Sequence, residues 1–206
     1  QPIIGTQINI QYRGYIGKSP LFAKNLEGYK NLIKLSSKSF LEIKDSDEPH
    51  CKISDIETNY KGLILLTGSF DGLIGKLFFN NLAEEIFVLL KKLKTIFNNN
   101  FYLEIQRHND IGEKLFEQFL LNTSEKLELP LIATHEIFYL DKDMHEAHDA
   151  YLCVGEKTYV NTKDRRKYSN EHYLKTSEQM YELFHDLPDA LENNKNFPLR
   201  ISYRPI

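Results

Sequence analysis

Cysteine is scarce in this chain: Cys51 and Cys153 are the only two in 206 residues, far apart and without a CxxC pair. That excludes a disulfide framework or a thiol-rich metal knuckle and, with no secretory signal peptide, points to a reducing cytoplasm. Long hydrophobic runs are missing too. No apolar stretch approaches the roughly 20 residues of a membrane span, so no membrane association is expected. The chain has neither a P-loop nor a GxGxxG fingerprint, and no serine sits in a nucleophile-elbow context, which leaves no basis for a Ser/His/Asp triad. It also lacks excess positive charge. A formal net charge of −3 and a pI near 6.2 argue against gripping nucleic acid by bulk electrostatics, although a local basic groove remains compatible with them.

What is present is ordinary for a globular protein. Apolar residues make up 41% and charged residues 27%, enough for one sizeable core without staples. The chain opens Gln1-Pro-Ile-Ile, without Met and already in strand-like sequence. The expectation is a piece of a longer polypeptide.

Strand character runs from Ile3 to Ile10, and 13–20 reads as a loop on its turn chemistry. Leu26, Tyr29, Leu32, Ile33 and Phe40 recur near helical spacing, with Asn25 as N-cap, so 25–40 is expected to be an amphipathic helix. The stretch 42–58 mixes charge, Ser and Pro without periodicity and reads as a surface excursion. Gly62-Leu-Ile-Leu-Leu-Thr-Gly68 matches a strand buried on both faces. Helices are expected over 73–79 and 82–97, the second with Ile86, Leu89, Leu90, Leu93 and Phe97 on one face. A strand at 101–106, a helix at 111–127 and a strand at 129–134 complete a β/α alternation. That alternation predicts an α/β fold with a parallel sheet, open or closed into a barrel. Beyond Asp141 helices are expected over 144–153, from Ser177 to Phe184, and from Pro188 with Ala190 and Leu191 inward.

Two of these strands break into ligand-type residues at their C-terminal ends, where parallel strands deliver side chains to one face. Gln106, His108, Thr134, His135 and Glu136 would gather there, joined by Gln7, Asn9 and Thr67. An imidazole and a carboxylate on one face suit a divalent-metal or hydrolytic site. The plainer reading is that His108 hydrogen-bonds within a loop. His145-Glu-Ala-His148-Asp149 has its histidines three apart, not the four of HExxH, and reads as a solvated helix start. Lys163, Arg165, Arg166 and Lys167, followed by Tyr168, could contact phosphates or form a solvated loop.

Several segments in consistent order resemble the polymerase-and-histidinol-phosphatase (PHP) domain of bacterial replicative DNA polymerase III alpha subunits. They are Pro2-Ile-Ile-Gly5, Leu21-Phe-Ala-Lys-Asn25, Glu27-Gly-Tyr-Lys-Asn-Leu32, Gly62 to Gly68 and Tyr102-Leu-Glu-Ile-Gln-Arg-His108. Leu129 to Thr134, Glu146-Ala-His-Asp149, Tyr173-Leu-Lys-Thr176, Glu178 to Phe184 and Leu187 to Asn193 continue the series. The resemblance implies an incomplete, distorted β/α barrel with a helical C-terminal extension. Residues 1–193 would be a PHP domain lacking its first strands and their HxH-type motif, and 194–206 would begin the connection to the polymerase palm. It also implies a role in DNA replication, a cytoplasmic location, and a proofreading exonuclease and other replicase subunits as partners. Primer-template DNA would be met through the parent polypeptide, whose polymerisation uses Mg.

Members of the family with an intact site hold several metals on histidines and carboxylates, and matching to them is poor. Gln7 stands where a glutamate is expected, Lys18 where a histidine is, and Glu136 replaces an aspartate. Phe138 replaces a histidine, while His108 survives in Gln106-Arg107-His108. The resemblance therefore implies a degenerate site in a scaffold, without cofactor, in which Lys18 could pair with Glu136. The rival is an active metal-dependent exonuclease or phosphoesterase using Mn or Zn.

Overall fold

A computed structural model describes residues 2–44 and 47–205. Its framework is a six-stranded sheet in the order β3-β1-β2-β4-β5-β6. The strands are β1 (Gly5–Tyr12), β2 (Tyr15–Ala23), β3 (Cys51–Lys52), β4 (Leu63–Leu66), β5 (Phe101–Ile105) and β6 (Leu131–Ala133). The helices are α1 (Leu26–Leu41), α2 (Ile53–Thr58), α3 (Leu73–Phe79), α4 (Ala83–Phe97), α5 (Glu113–Leu127), α6 (His145–Glu156), α7 (Ser177–Leu183) and α8 (Pro188–Asn196). The sheet is open, as befits part of a barrel. No helix among the described residues is long and apolar enough to cross a membrane.

The sheet is mixed, which corrects the all-parallel expectation. β4, β5 and β6 are parallel, but β2 runs antiparallel to both β1 and β4. The cause lies in the stretch expected to be a loop. Arg13 and Gly14 both take positive φ, 49° and 85°, so these two residues close a tight hairpin and 15–23 returns as β2. The 42–58 excursion is likewise only partly irregular, because β3 pairs with Ile10 and Gln11 and α2 follows it.

Asn25 does cap α1, its side chain accepting from the Gly28 amide at 2.9 Å. The buried face is rotated from the expected one: Leu32 is buried and Tyr29 packs on the core as expected, but Leu26, Ile33 and Phe40 are exposed, and Gly28, Leu35 and Ser39 face inward instead. Gly28 sets this rotation. A Cβ there would lie 1.8 Å from the Gly62 carbonyl oxygen, so the helix seats its glycine against the turn before β4. In α4 the expected face, Ile86, Leu89, Leu90, Leu93 and Phe97, is buried throughout.

The main core lies between the helices and one sheet face. The other face carries a smaller cluster, in which Phe197 and Ile201 cover Ile64, Leu66, Tyr102 and Ile132. A boundary at 193/194 falls inside α8, and these two asparagines hold the free edge of β6. Asn193 donates to the Leu131 carbonyl, and Asn194 both donates to and accepts from Ala133. Side-chain amides thus satisfy backbone groups that a seventh strand would otherwise take.

Candidate metal centre

The parallel run β4-β5-β6 brings its C-terminal ends together, and the β1–β2 hairpin adds two residues from the side. Gln7, Lys18, Asp71, Glu104, Gln106 and Glu136 line one small cavity of about 20 Å³, room for one water-sized particle. Asp71, Gln106 and Glu136 also border a wider cleft of about 470 Å³ that His108, Asp110, Glu113, His172 and the 165–168 segment enclose. Asn9 does not join them, since its amide donates to Glu48 and to the Pro49 carbonyl. Thr67 serves β5 instead, its hydroxyl accepting from the Glu104 amide at 2.9 Å.

Glu104 is a carboxylate inside the fully buried run of β5. Its Oε1 accepts from Thr134 at 2.5 Å and from Gln106 at 3.3 Å, while Oε2 has no partner among the described residues. Burial pushes this carboxyl up to about 7, against the hydrogen bonds from Thr134 and Gln106.

His108 is 2% exposed, with one ring nitrogen hydrogen-bonded and the other facing a carboxylate. Nε2 accepts from the Glu136 amide at 3.1 Å, which leaves the proton on Nδ1, 3.4 Å from Glu113. Glu113 in turn receives the amides of His108 and Asn109, at 2.7 to 2.9 Å, and so fixes the β5–α5 turn. His172 lies parallel to His108, with ring centroids 4.0 Å apart and planes 2° apart. On the other side His135 stacks at 4.4 Å. Burial, then the neighbouring His108, holds His135 down to about 4, with its Nε2–H donating to the Glu171 carbonyl. His172 faces two acceptors, the Glu136 carbonyl at 3.2 Å and Asp110 at 3.4 Å, and donates to both only as imidazolium.

His108, Asp110 and His172 bring one ligand-type atom each within 4.8 Å of one another, the makings of a metal site. The ring geometry opposes it as arranged. An ion bound along both imidazole lone pairs must lie in both ring planes, and these planes are parallel. Midway between them it would stand up to roughly 2 Å out of each plane, nearly a whole metal–nitrogen bond of about 2.1 Å. His108 has no spare lone pair either. As arranged, then, His108 and His172 do not both point a lone pair at one ion.

Phe138 packs on His148, Tyr168 and His172, with centroids 5.3, 4.4 and 5.0 Å away, filling one end of the imidazole stack with carbon. Lys18 and Glu136 share the small cavity, but the expected ion pair between them is absent among the described residues.

The 163–167 run is partly committed. Arg165 makes two 2.5 Å bonds to Asp149, and Arg166 pairs with Glu156 at 2.9 Å. That pairing corrects the reading of 145–149 as a solvated helix start. His145 and Asp149 turn inward, His145 meeting the Tyr168 carbonyl at 3.0 Å. Glu104, Asp110, Glu113 and His172 were not identified by sequence reasoning. Glu104 carried a signal, a lone carboxylate within an apolar strand, whereas nothing in the spacing marks His172.

A family model described as PHP domain matches residues 1–108. DNA polymerase III subunit alpha of Rickettsia bellii is 38% identical over 97% of the chain, which covers 17% of that protein. The subunits of Caulobacter vibrioides and Borreliella burgdorferi are 33% and 38% identical over 98% and 84% of the chain, covering 18% and 15% of their lengths. The chain thus spans about a sixth of the curated relatives it matches, and by family model and fold it belongs to the PHP domain family.

Proposed function

We propose that this chain is the PHP portion of a replicative DNA polymerase III alpha subunit, with a degenerate metal site that serves as scaffold. The observation that carries this reading is His108. The surviving ligand-type residue at the matched positions spends both ring nitrogens on the protein, joining the β5–α5 turn to the segment after β6. Lys18 and Phe138 support it, the first as a cation at the cavity wall, the second as carbon beside His172.

On this reading residues 1–193 form the domain and 194–206 lead toward the palm. The chain itself needs no cofactor, and Mg serves polymerisation elsewhere in the parent. The partners are a proofreading exonuclease subunit, other replicase subunits and primer-template DNA, in the cytoplasm. Lys163 and Lys167 are the cations left to touch phosphate once Arg165 is held by Asp149 and Arg166 by Glu156.

A second reading, an active Mn- or Zn-dependent exonuclease or phosphoesterase, draws on the approach of His108, Asp110 and His172. The two are separated by a primer-template assay on the parent polypeptide with Mg and Mn, with and without deoxynucleotides. Extension without primer shortening fits the scaffold. Shortening that His108→Ala abolishes would replace it with the second reading.

A further inference from the structure

The cleft beside the imidazole stack holds more negative charge than its own walls neutralise. Asp71, Asp110, Glu113 and Glu136 line it. Glu113 is spent on the amides of His108 and Asn109, and Asp110 lies 3.4 Å from His172. The carboxylates of Asp71 and Glu136 have no hydrogen bond or ion pair among the described residues. The cations on the same walls do not answer them. Arg165 is held by Asp149 and Arg166 by Glu156, neither of which lines the cleft, so Lys167 is the wall's uncommitted cation.

Glu104 gives an independent sign that a donor belongs here. It is 4% exposed, and its Oε2 has no partner among the described residues. It walls the small cavity, which shares Asp71, Gln106 and Glu136 with the cleft. A buried acceptor left open is costly until something donates to it. Lys18 borders the same cavity, yet its ammonium pairs with none of these carboxylates.

The donor that fits is an alkylammonium. Its head carries three N–H groups for the three carboxylates at the cavity, and the space of about 20 Å³ admits one water-sized group. It makes no demand on His108, whose Nε2 lone pair is already taken by the Glu136 amide, whereas a metal ion would need that lone pair. Behind the head, Phe70, Ile111 and Tyr168 offer the cleft's apolar surface to an aliphatic stem, and Asp110 offers a carboxylate to a second charge. An anion would meet the same carboxylates as repulsion.

We propose that this cleft binds an aliphatic di- or polyamine, its leading ammonium among Asp71, Glu104 and Glu136 and its stem across Phe70 and Tyr168. The proposal rests on the scaffold reading, because a cleft that held divalent metals on the same carboxylates would exclude the amine.

Titration calorimetry of the parent polypeptide with putrescine and with butylamine, in excess Mg and at fixed ionic strength, tests it. Putrescine should bind saturably, and about tenfold or more tighter than butylamine, which lacks the second charge. Glu136→Gln and Asp71→Asn should each weaken putrescine about tenfold or more. Glu125→Gln, which changes an exposed acid of α5 that lines no part of the cleft, should leave the affinity as it was. Circular dichroism should be the same for every variant. Absence of saturable heat, or equal affinity across the variants, overturns the proposal. So does an equal loss in Glu125→Gln, which would mean diffuse attraction to an acidic protein. Saturable Mn binding that displaces putrescine and that His108→Ala abolishes would overturn the scaffold reading itself.

Discussion

Glu104 makes the stability of this fold depend on pH in an unusual direction. The side chain is 4% exposed, its Oε2 is unpartnered among the described residues, and burial lifts the carboxyl from 4.5 to about 7. A carboxyl raised in this way binds its proton more tightly in the folded chain than in the unfolded one. Its favourable contribution is therefore complete below pH 4.5, declines as the unfolded chain ionises, and is gone above pH 7. An ion-paired carboxylate behaves in the opposite sense. At 1.36 kcal/mol per unit, the interval corresponds to about 3 kcal/mol. Glu104→Gln keeps the shape and an acceptor for Thr134 but cannot ionise. Urea unfolding of both proteins between pH 4.5 and 8 gives the difference directly. The stability of the native chain relative to the variant should fall by about 3 kcal/mol across that window, leaving the variant the more stable protein at pH 8. Parallel profiles would refute the reasoning, since Glu104 would then ionise alike in both states. A relative gain of the native chain with pH would mean that a cation stabilises the carboxylate.

Three further outcomes follow from the same geometry. Gly28→Ala places a Cβ 1.8 Å from the Gly62 oxygen, and because backbone cannot step aside cheaply it should cost about 3 kcal/mol in urea unfolding. Arg107 grips Glu117 and Asp186 with bidentate pairs, its own side chain 19% exposed and that of Asp186 50% exposed. With solvent screening allowed for, Arg107→Met should cost about 2 kcal/mol and Asp186→Asn less than about 1, with faster amide exchange in α7. Lys18→Met removes a cation from the cavity that also holds Asp71, Glu104 and Glu136, so calorimetric Mn affinity should rise about tenfold or more. Unchanged affinity would mean that Lys18 plays no part in keeping metal out.

The elements legible from the sequence were those whose partners are local. The α4 face was plain because five apolar residues at helical spacing all find the same core. The Asn25 cap was plain because its acceptor and donor lie three residues apart. α1 misled because Leu26, Ile33 and Phe40 are as apolar as the residues actually buried. The helix rotation was decided by Gly28 meeting Gly62, a contact that apolar spacing does not register. β2 misled because its Gly, Lys, Ser and Pro resemble a loop. The tight turn at Arg13 and Gly14 and pairing with two neighbours override that propensity. At the site, the strand-end residues Gln106, His108, Thr134, His135 and Glu136 were legible because strands of one direction share an end. His172 and Asp110 were not, since each reaches the cleft from a loop and only the folded chain brings them within 3.4 Å.

On the proposed scaffold reading, what replaces metals can be read in the same terms. Ligand-type groups without cations repel one another and leave lone pairs unsatisfied, and protein atoms take over much of both tasks, with Glu104 Oε2 and His135 Nδ1 left unpartnered among the described residues. The Glu136 amide fills the His108 lone pair, and carbonyls of Glu136 and Glu171 take the N–H groups of His172 and His135. Burial raises the Glu104 carboxyl to about 7, so that below that pH protonation removes a charge burial would otherwise isolate. Phe138 and Tyr168 close the open end of the ring stack. Each of these contacts joins chain segments that a shared ion would otherwise have joined: the end of β5, the segment after β6, and the strap at 168–173. Putting metals back would thus require more than the three ligand identities at Gln7, Lys18 and Phe138. His108 and His172 would also have to leave their backbone partners, and the backbone groups so exposed would oppose the change.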